Sequence, residues 1–211
     1  MSDQPRLRIL LVGASGVLGR AVDVELGARH EVIRAGSNSG DIRIDIADPA
    51  SILRGLAEAG PLDAVCCTAG KTSFPPLADA EPKGIDQSVY GLGLANKLLG
   101  QVNLALAARH ALRDGGSITL ISGILAHHPI PGGTGAAMVN GALESFVRAA
   151  ACELPRGLRL NLVSPTVFTE SMAVYGPSFR GYEPVPVAAA ALAYSRSVEG
   201  LGTGQVFAVG Y

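Results

Sequence analysis

The chain has 211 residues, 48% of them hydrophobic and 17% charged, with a formal net charge of −1. That length buries a substantial core within one domain and needs no metal or disulfide to hold it. The near-zero charge, with Lys and Arg scattered, gives no field for nucleic acid or a membrane surface.

The amino-terminal segment MSDQPRLRILLVG holds an apolar run too short for a signal peptide or a membrane span. Its LRILLV portion reads as a strand near 7–12 buried on both faces. A turn, Gly13-Ala14-Ser15-Gly16-Val17-Leu18-Gly19, leads into a helix near 17–28. Glycines at such a turn let backbone approach a pyrophosphate, and the exposed amides of the helix start bind it. The plainer reading of that turn is helix packing without a ligand.

A second strand near 30–35 runs into Arg34, Ser37, Asn38 and Ser39, with no carboxylate until Asp41. An acidic residue at this place selects NAD through the ribose hydroxyls. Its absence, with a cation and hydroxyl donors present, points to a 2′-phosphate and hence to NADP(H) over NAD(H). The alternative is that Arg34 faces solvent and the Ser/Asn cluster is only a turn. A third strand near 42–46, a helix near 49–59 and a fourth strand near 62–68 follow. Cys66 and Cys67 lie in that strand and Cys152 in a later helix, an odd set that suits a reduced, cytoplasmic setting.

A Pro- and Gly-rich segment, 71–84, precedes a long helical pattern near 86–112 that can be broken. Strands near 117–122, 158–163 and 205–210 alternate with helices near 134–154 and 186–198, and a second loop spans 170–186. Strand and helix in alternation predict an α/β fold, a Rossmann-type doubly wound parallel sheet of about seven strands with helices on both faces. No linker or repeat divides it, so residues 1–211 read as one nucleotide-binding domain, with 71–84 and 170–186 as its active-site loops.

Asp45-Ile46, Cys67-Thr68-Ala69-Gly70, Asn161-Leu162-Val163-Ser164-Pro165-Thr166 and Thr203-Gly204-Gln205-Val206-Phe207 follow the glycine turn in order. Together they resemble the short-chain dehydrogenases/reductases (SDRs), covering almost the whole chain. The resemblance implies that Asp45 and Ile46 lie by the adenine and that Thr68, Ala69 and Gly70 follow the fourth strand. Pro165 and Thr166, continued by Val167 and Thr169, would hold the nicotinamide carboxamide. It also implies a small-molecule substrate and pairing of the two long helices into a homodimer or homotetramer, consistent with the apolar positions Ala142, Phe146, Ala149 and Ala150.

Against the family pattern, Gly123 stands at the catalytic Ser, Ala136 at the Tyr and Asn140 at the Lys. The same substitutions go with a likeness to a branch of small bacterial SDR proteins. That branch carries the motifs seen here as Lys97-Leu98-Leu99-Gly100-Gln101, Gly123-Ile124, Asn140-Gly141-Ala142 and Glu153-Leu154-Pro155-Arg156-Gly157-Leu158-Arg159. The family's fourth catalytic residue is an Asn in an Asn-x-x-Gly frame. Lys97 fits that frame and Asn96 is displaced by one, and a shift of one helical position is a turn of about 100°.

Lys97 is therefore the leading candidate to donate a proton or stabilise an oxyanion; its bland alternative is a snorkelling surface residue. Ser122, His127 beside His128, and Tyr175 with Tyr182 are the other candidates for acid–base work. Adjacent histidines cannot by themselves form a metal site, and no metal is expected. The implied activity is NADP(H)-dependent reduction of a carbonyl or enone. Redox-neutral isomerisation or cyclisation, and a catalytically silent nucleotide-binding regulator, are the alternatives.

Overall fold

The computed structural model describes residues 5–211, so the first four residues of the segment read for a leader lie outside it. Seven strands form one sheet in the order β3-β2-β1-β4-β5-β6-β7, every neighbouring pair parallel. They are β1 (Arg8–Val12), β2 (Glu31–Gly36), β3 (Ile42–Arg43), β4 (Leu62–Cys67), β5 (Leu112–Ile121), β6 (Arg159–Pro165) and β7 (Val206–Val209). The helices are α1 (Val17–Gly27), α2 (Pro49–Ala59), α3 (Gly100–Ala111), α4 (Thr134–Ala150), α5 (Met172–Tyr175) and α6 (Val187–Glu199).

Alternation along β1 divides the core. Leu10 and Val12 join Ile52, Leu104 and Leu143 on one face, and Ile9 and Leu11 join Val22, Ala190 and Tyr194 on the other. Both faces are buried, which is why LRILLV is a continuous apolar run. Strand order reverses between β1, paired to β2, and β4, so the crevice at their carboxyl ends is the place where such sheets bind ligands.

The structure differs from the sequence expectations at several element ends. The third strand stops at Arg43 instead of reaching 46, because Asp45 turns the chain: its Oδ1 accepts from Ala47 N at 3.0 Å and its carbonyl from Asp48 N at 3.1 Å. The helix expected from 86 is replaced at first by a 3-10 turn, Ile85–Gln87, and a π-helical stretch, Gly93–Leu99, then runs directly into α3. β5 starts at Leu112, earlier than the expected 117. α4 ends at Ala150 and not 154; Pro155 restricts the residue before it, and Arg156 and Gly157 at φ 59° and 68° make the turn into β6. The 170–186 loop contains α5 between two 3-10 turns. Among the described residues no helix is long and apolar enough to cross a membrane.

Candidate functional site

At the carboxyl ends of the strands two cavities of about 190 Å³ each open on either side of the π-helical stretch. The first is walled by the glycine turn, the ends of β2 and β3 and the chain after β4. Gly13, Ser15, Ser37, Asp45, Ile46, Ala69 and Gly70 line it, joined by Lys71 and Asn96. The turn is sterically committed: Gly13 has φ +91°, and a Cβ there would stand 2.8 Å from Ala69 N, while one at Gly19 would stand 2.1 Å from Gly13 O. Gly16 caps α1 without a side-chain hydrogen bond, and a Cβ on it would meet only Gly13 O at 3.5 Å. Thr68 holds the turn from below, its hydroxyl donating to the carbonyls of Val12 and Gly13 at 3.2 and 3.0 Å.

The second cavity is mostly apolar, with Phe74, Ile124, Ala136, Val167 and Phe179 in its walls. Gly123, Ala136 and Asn140, the positions aligned with Ser, Tyr and Lys, all line it together with Lys97, Ser122, Pro165, Thr166 and Tyr175. Lys97 is half-buried, its Nζ donating to Ser122 O at 3.2 Å, and burial lowers its amine to about 8. Gln101, one turn on and fully buried, fixes this helix against the end of β5. Its amide exchanges bonds with Ile121 O and N at 2.9 and 2.8 Å and donates to Lys97 O at 3.1 Å. Gly70 lets the Lys97 stem pass, since a Cβ at Gly70 would come within 2.8 Å of Lys97 Cγ.

Asn96 and Lys97 thus serve different cavities although adjacent. Asn96 Oδ1 accepts from Lys71 N at 2.7 Å on the first side, and Lys97 reaches the second. A π turn holds one more residue than an α turn, and such insertions concentrate at functional positions. Two buried polar atoms in the second cavity are without hydrogen-bond partners. Asn140 donates through Nδ2 to Gly123 O at 3.2 Å, but its Oδ1 is unpaired, as is Thr166 Oγ1. An unpaired buried group costs about 1–3 kcal/mol.

Other sequence candidates lie elsewhere. Arg34 does not line the first cavity; its Nε donates to Asp23 on α1 at 2.8 Å, and its backbone N–H donates to Asp41 at 2.9 Å. Gly16, Val17, Leu18 and Gly19 form the start of α1 behind the glycine turn, and Asn38 lies in the exposed turn after β2. Thr169 N–H donates to Val185 O at 2.9 Å.

His127 does not line the second cavity; its Nε2 lies 2.9 Å from Glu144 Oε2. Tyr182 hydroxyl donates to His128 O at 2.9 Å, tying the loop after β5 to the 170–186 segment.

Sequence reasoning missed Glu144. This carboxylate is 2% exposed and receives His127, Arg148, Ser122 Oγ and Ser164 Oγ, with Ser164 in turn bonded to the Tyr211 hydroxyl. Its spacing of four from Asn140 and eight from Ala136 placed it on the same helical face as the cavity positions, and this was the available signal. Lys71 and Asn96 were also missed.

A family model described as enoyl-(acyl carrier protein) reductase matches residues 14–206. Among solved structures, the protein lin1944 from Listeria innocua is 42% identical with a TM-score of 0.92, covering 96% of this chain and 99% of that one. Versicolorin reductase 1 of Aspergillus parasiticus is 29% identical over 205 residues, 82% of this chain and 74% of that protein. Carbonyl reductase (NADPH) 2 of Sus scrofa is 28% identical over 185 residues, 79% of this chain and 73% of that protein.

Proposed function

Because the chain belongs to the short-chain dehydrogenase/reductase superfamily, we propose that it is an NADP(H)-dependent oxidoreductase that reduces a carbonyl or enone of a small molecule, with Lys97 as proton donor. The observation that carries this reading is the Lys97 amine in the cavity lined by Gly123, Ala136 and Asn140, where the family's catalytic side chains are absent. The residues present fit the nucleotide. The glycine turn is a cradle that a Cβ at Gly13 would fill, and Asn140 Oδ1 is an unpaired acceptor suited to a ribose hydroxyl. NADP(H) is favoured over NAD(H) by Ser37, which stands at the end of β2 in place of a carboxylate, and by Lys71 in the cavity wall. The similarity to a carbonyl reductase named for NADPH agrees with it.

When bound, the nucleotide supplies the hydride. The chain's own part is to hold the acceptor in the apolar cavity and give a proton to the oxygen on which charge develops. With its amine at about 8, Lys97 is mainly protonated at neutral pH and is a stronger acid than an exposed lysine. Ser122 O orients it and Gln101 fixes the helix turn that carries it.

The test is single-turnover oxidation of bound NADPH against ketones, quinones and enones. Lys97→Met is expected to slow it on the order of 10²–10⁴-fold while leaving NADPH affinity unchanged. An unaffected rate removes Lys97 from the reaction, and wild-type protein that oxidises NADPH with no acceptor in the panel counts against the reductase reading.

A further inference from the structure

Lys97 is placed for a second chemistry that needs no nucleotide. Among the described residues no charged group pairs with its amine. Ser122 O is its one hydrogen-bond acceptor among the described residues. From β4 it faces the Cys67 thiol, which burial pushes up to about 12 and so keeps neutral, and from α4 it shares the cavity with the uncharged Asn140. The buried carboxylate on the same helix, Glu144, is taken by His127 and Arg148. From the segments after β4 and β6 come only the hydroxyls of Thr72, Thr166, Ser171 and Tyr175. An amine on an apolar wall, with a substrate-sized space before it and no carboxylate to hold its proton, is the setting in which lysines attack carbonyl carbon.

We propose that Lys97 forms a reversible imine with small aldehydes and ketones that enter the second cavity. The neutral amine's lone pair attacks the carbonyl carbon, and the carbonyl π pair moves to oxygen, which takes up a proton. That proton is one of the two on nitrogen, and the resulting carbinolamine loses its hydroxyl and the one remaining nitrogen proton as water while the nitrogen lone pair closes the C=N bond. The net change is one carbonyl and one amine to one imine and one water, with nothing oxidised or reduced. Thr166, whose Oγ1 is buried and unpaired, lines the same cavity as Lys97. The proposal rests on the placement of Lys97 that the reductase reading also uses. The two differ in the protonation state they require: proton donation needs the ammonium and attack needs the free amine.

The test uses benzaldehyde and acetylacetone on the nucleotide-free full chain, with borohydride reduction and peptide mass spectrometry. The sequence has only three lysines, Lys71, Lys83 and Lys97, so labelling maps without ambiguity. Lys71 and Lys83 are exposed and serve as internal references. The expected result is benzaldehyde labelling of Lys97 at least about tenfold above either reference at pH 8, with its initial rate rising about fivefold from pH 7 to pH 8 as the free amine appears. Lys97→Arg should remove the adduct, and Ala136→Phe, which fills the cavity, should reduce it without changing the references. Labelling of Lys97 no greater than that of Lys71 and Lys83 in the wild type overturns the proposal. Trapping without NADPH oxidation leaves the imine standing and fails the reductase, and the reverse result fails the imine alone.

Discussion

Replacing Lys97 by Met should stabilise the protein at neutral pH and do so progressively less as pH rises. Burial lowers the folded-state amine from 10.5 to about 8, and at about 1.4 kcal/mol per pKa unit this corresponds to about 3 kcal/mol. The folded pKa lies below the unfolded one, so the unfolded chain holds the proton better and the ammonium destabilises the fold. That cost is fully present below pH 8, falls as pH rises from 8 toward 10.5, and is gone above both values. By this relation it is about 3 kcal/mol at pH 7 and roughly 1.4 kcal/mol at pH 9.5.

Met keeps an unbranched stem and carries no charge. It also loses the bond to Ser122 O and changes packing, but those effects do not depend on pH and cancel between two measurements. Urea unfolding of wild type and Lys97→Met at the two pH values should show the stability difference between them shrinking by about 2 kcal/mol at the higher pH. A difference that stays constant would mean that the amine is solvated, and both the acid and the nucleophile roles of Lys97 would lose their physical basis.

Gly16→Val and Gly19→Val should behave oppositely. The Gly16 Cβ position is nearly free whereas that of Gly19 collides with Gly13 O. Thermal melting should therefore find Gly16→Val close to wild type but at least about tenfold weaker for NADPH by calorimetry, and Gly19→Val destabilised by roughly 1–3 kcal/mol; intact NADPH binding in Gly16→Val would put the pyrophosphate elsewhere. With Arg34 held by Asp23, Arg34→Ala should alter the NADPH-to-NADH affinity ratio by no more than about twofold, while Ser37→Asp should reverse it, and a collapse of the ratio in Arg34→Ala would restore that arginine to the phosphate. The triple variant Gly123→Ser, Ala136→Tyr, Asn140→Lys should gain carbonyl reductase activity, since a Cβ at Gly123 meets Pro165 O only at 3.7 Å and its other neighbour, Asn140, is itself replaced; a folded, NADPH-binding but inactive product would show these are not the family positions. A homodimer or homotetramer is expected because Leu106 is 44% exposed and Phe146 and Ala149 lie at the outer edge of α4, and light scattering showing only monomer at micromolar concentration would refute it.

The strands and most helices were legible because each is an apolar run or a helical stripe complete in itself. LRILLV could be placed as a buried strand without reference to the rest of the chain. What escaped depended on partners distant in sequence or on geometry that composition does not encode. Arg34 read as a phosphate ligand because its neighbours are Ser and Asn, while its actual partner, Asp23, comes from the preceding helix. Glu144 drew no attention in the sequence, and only the meeting of the loop after β5, α4 and β6 reveals why a carboxylate is tolerated there. The early end of β3 follows from the way Asp45 captures nearby amides. The Lys97 frame was visible in the sequence, but the π turn that gives Asn96 and Lys97 separate places was not, since helix propensity does not distinguish it from an ordinary turn.

That extra residue gives two neighbouring side chains independent surroundings. Asn96 fastens the backbone of the loop after β4, and Lys97 turns its amine to the other cavity. In a helix of uniform pitch, altering one of two such duties would more readily disturb the other. Here position 97 can change while Asn96 keeps its bond to Lys71 N.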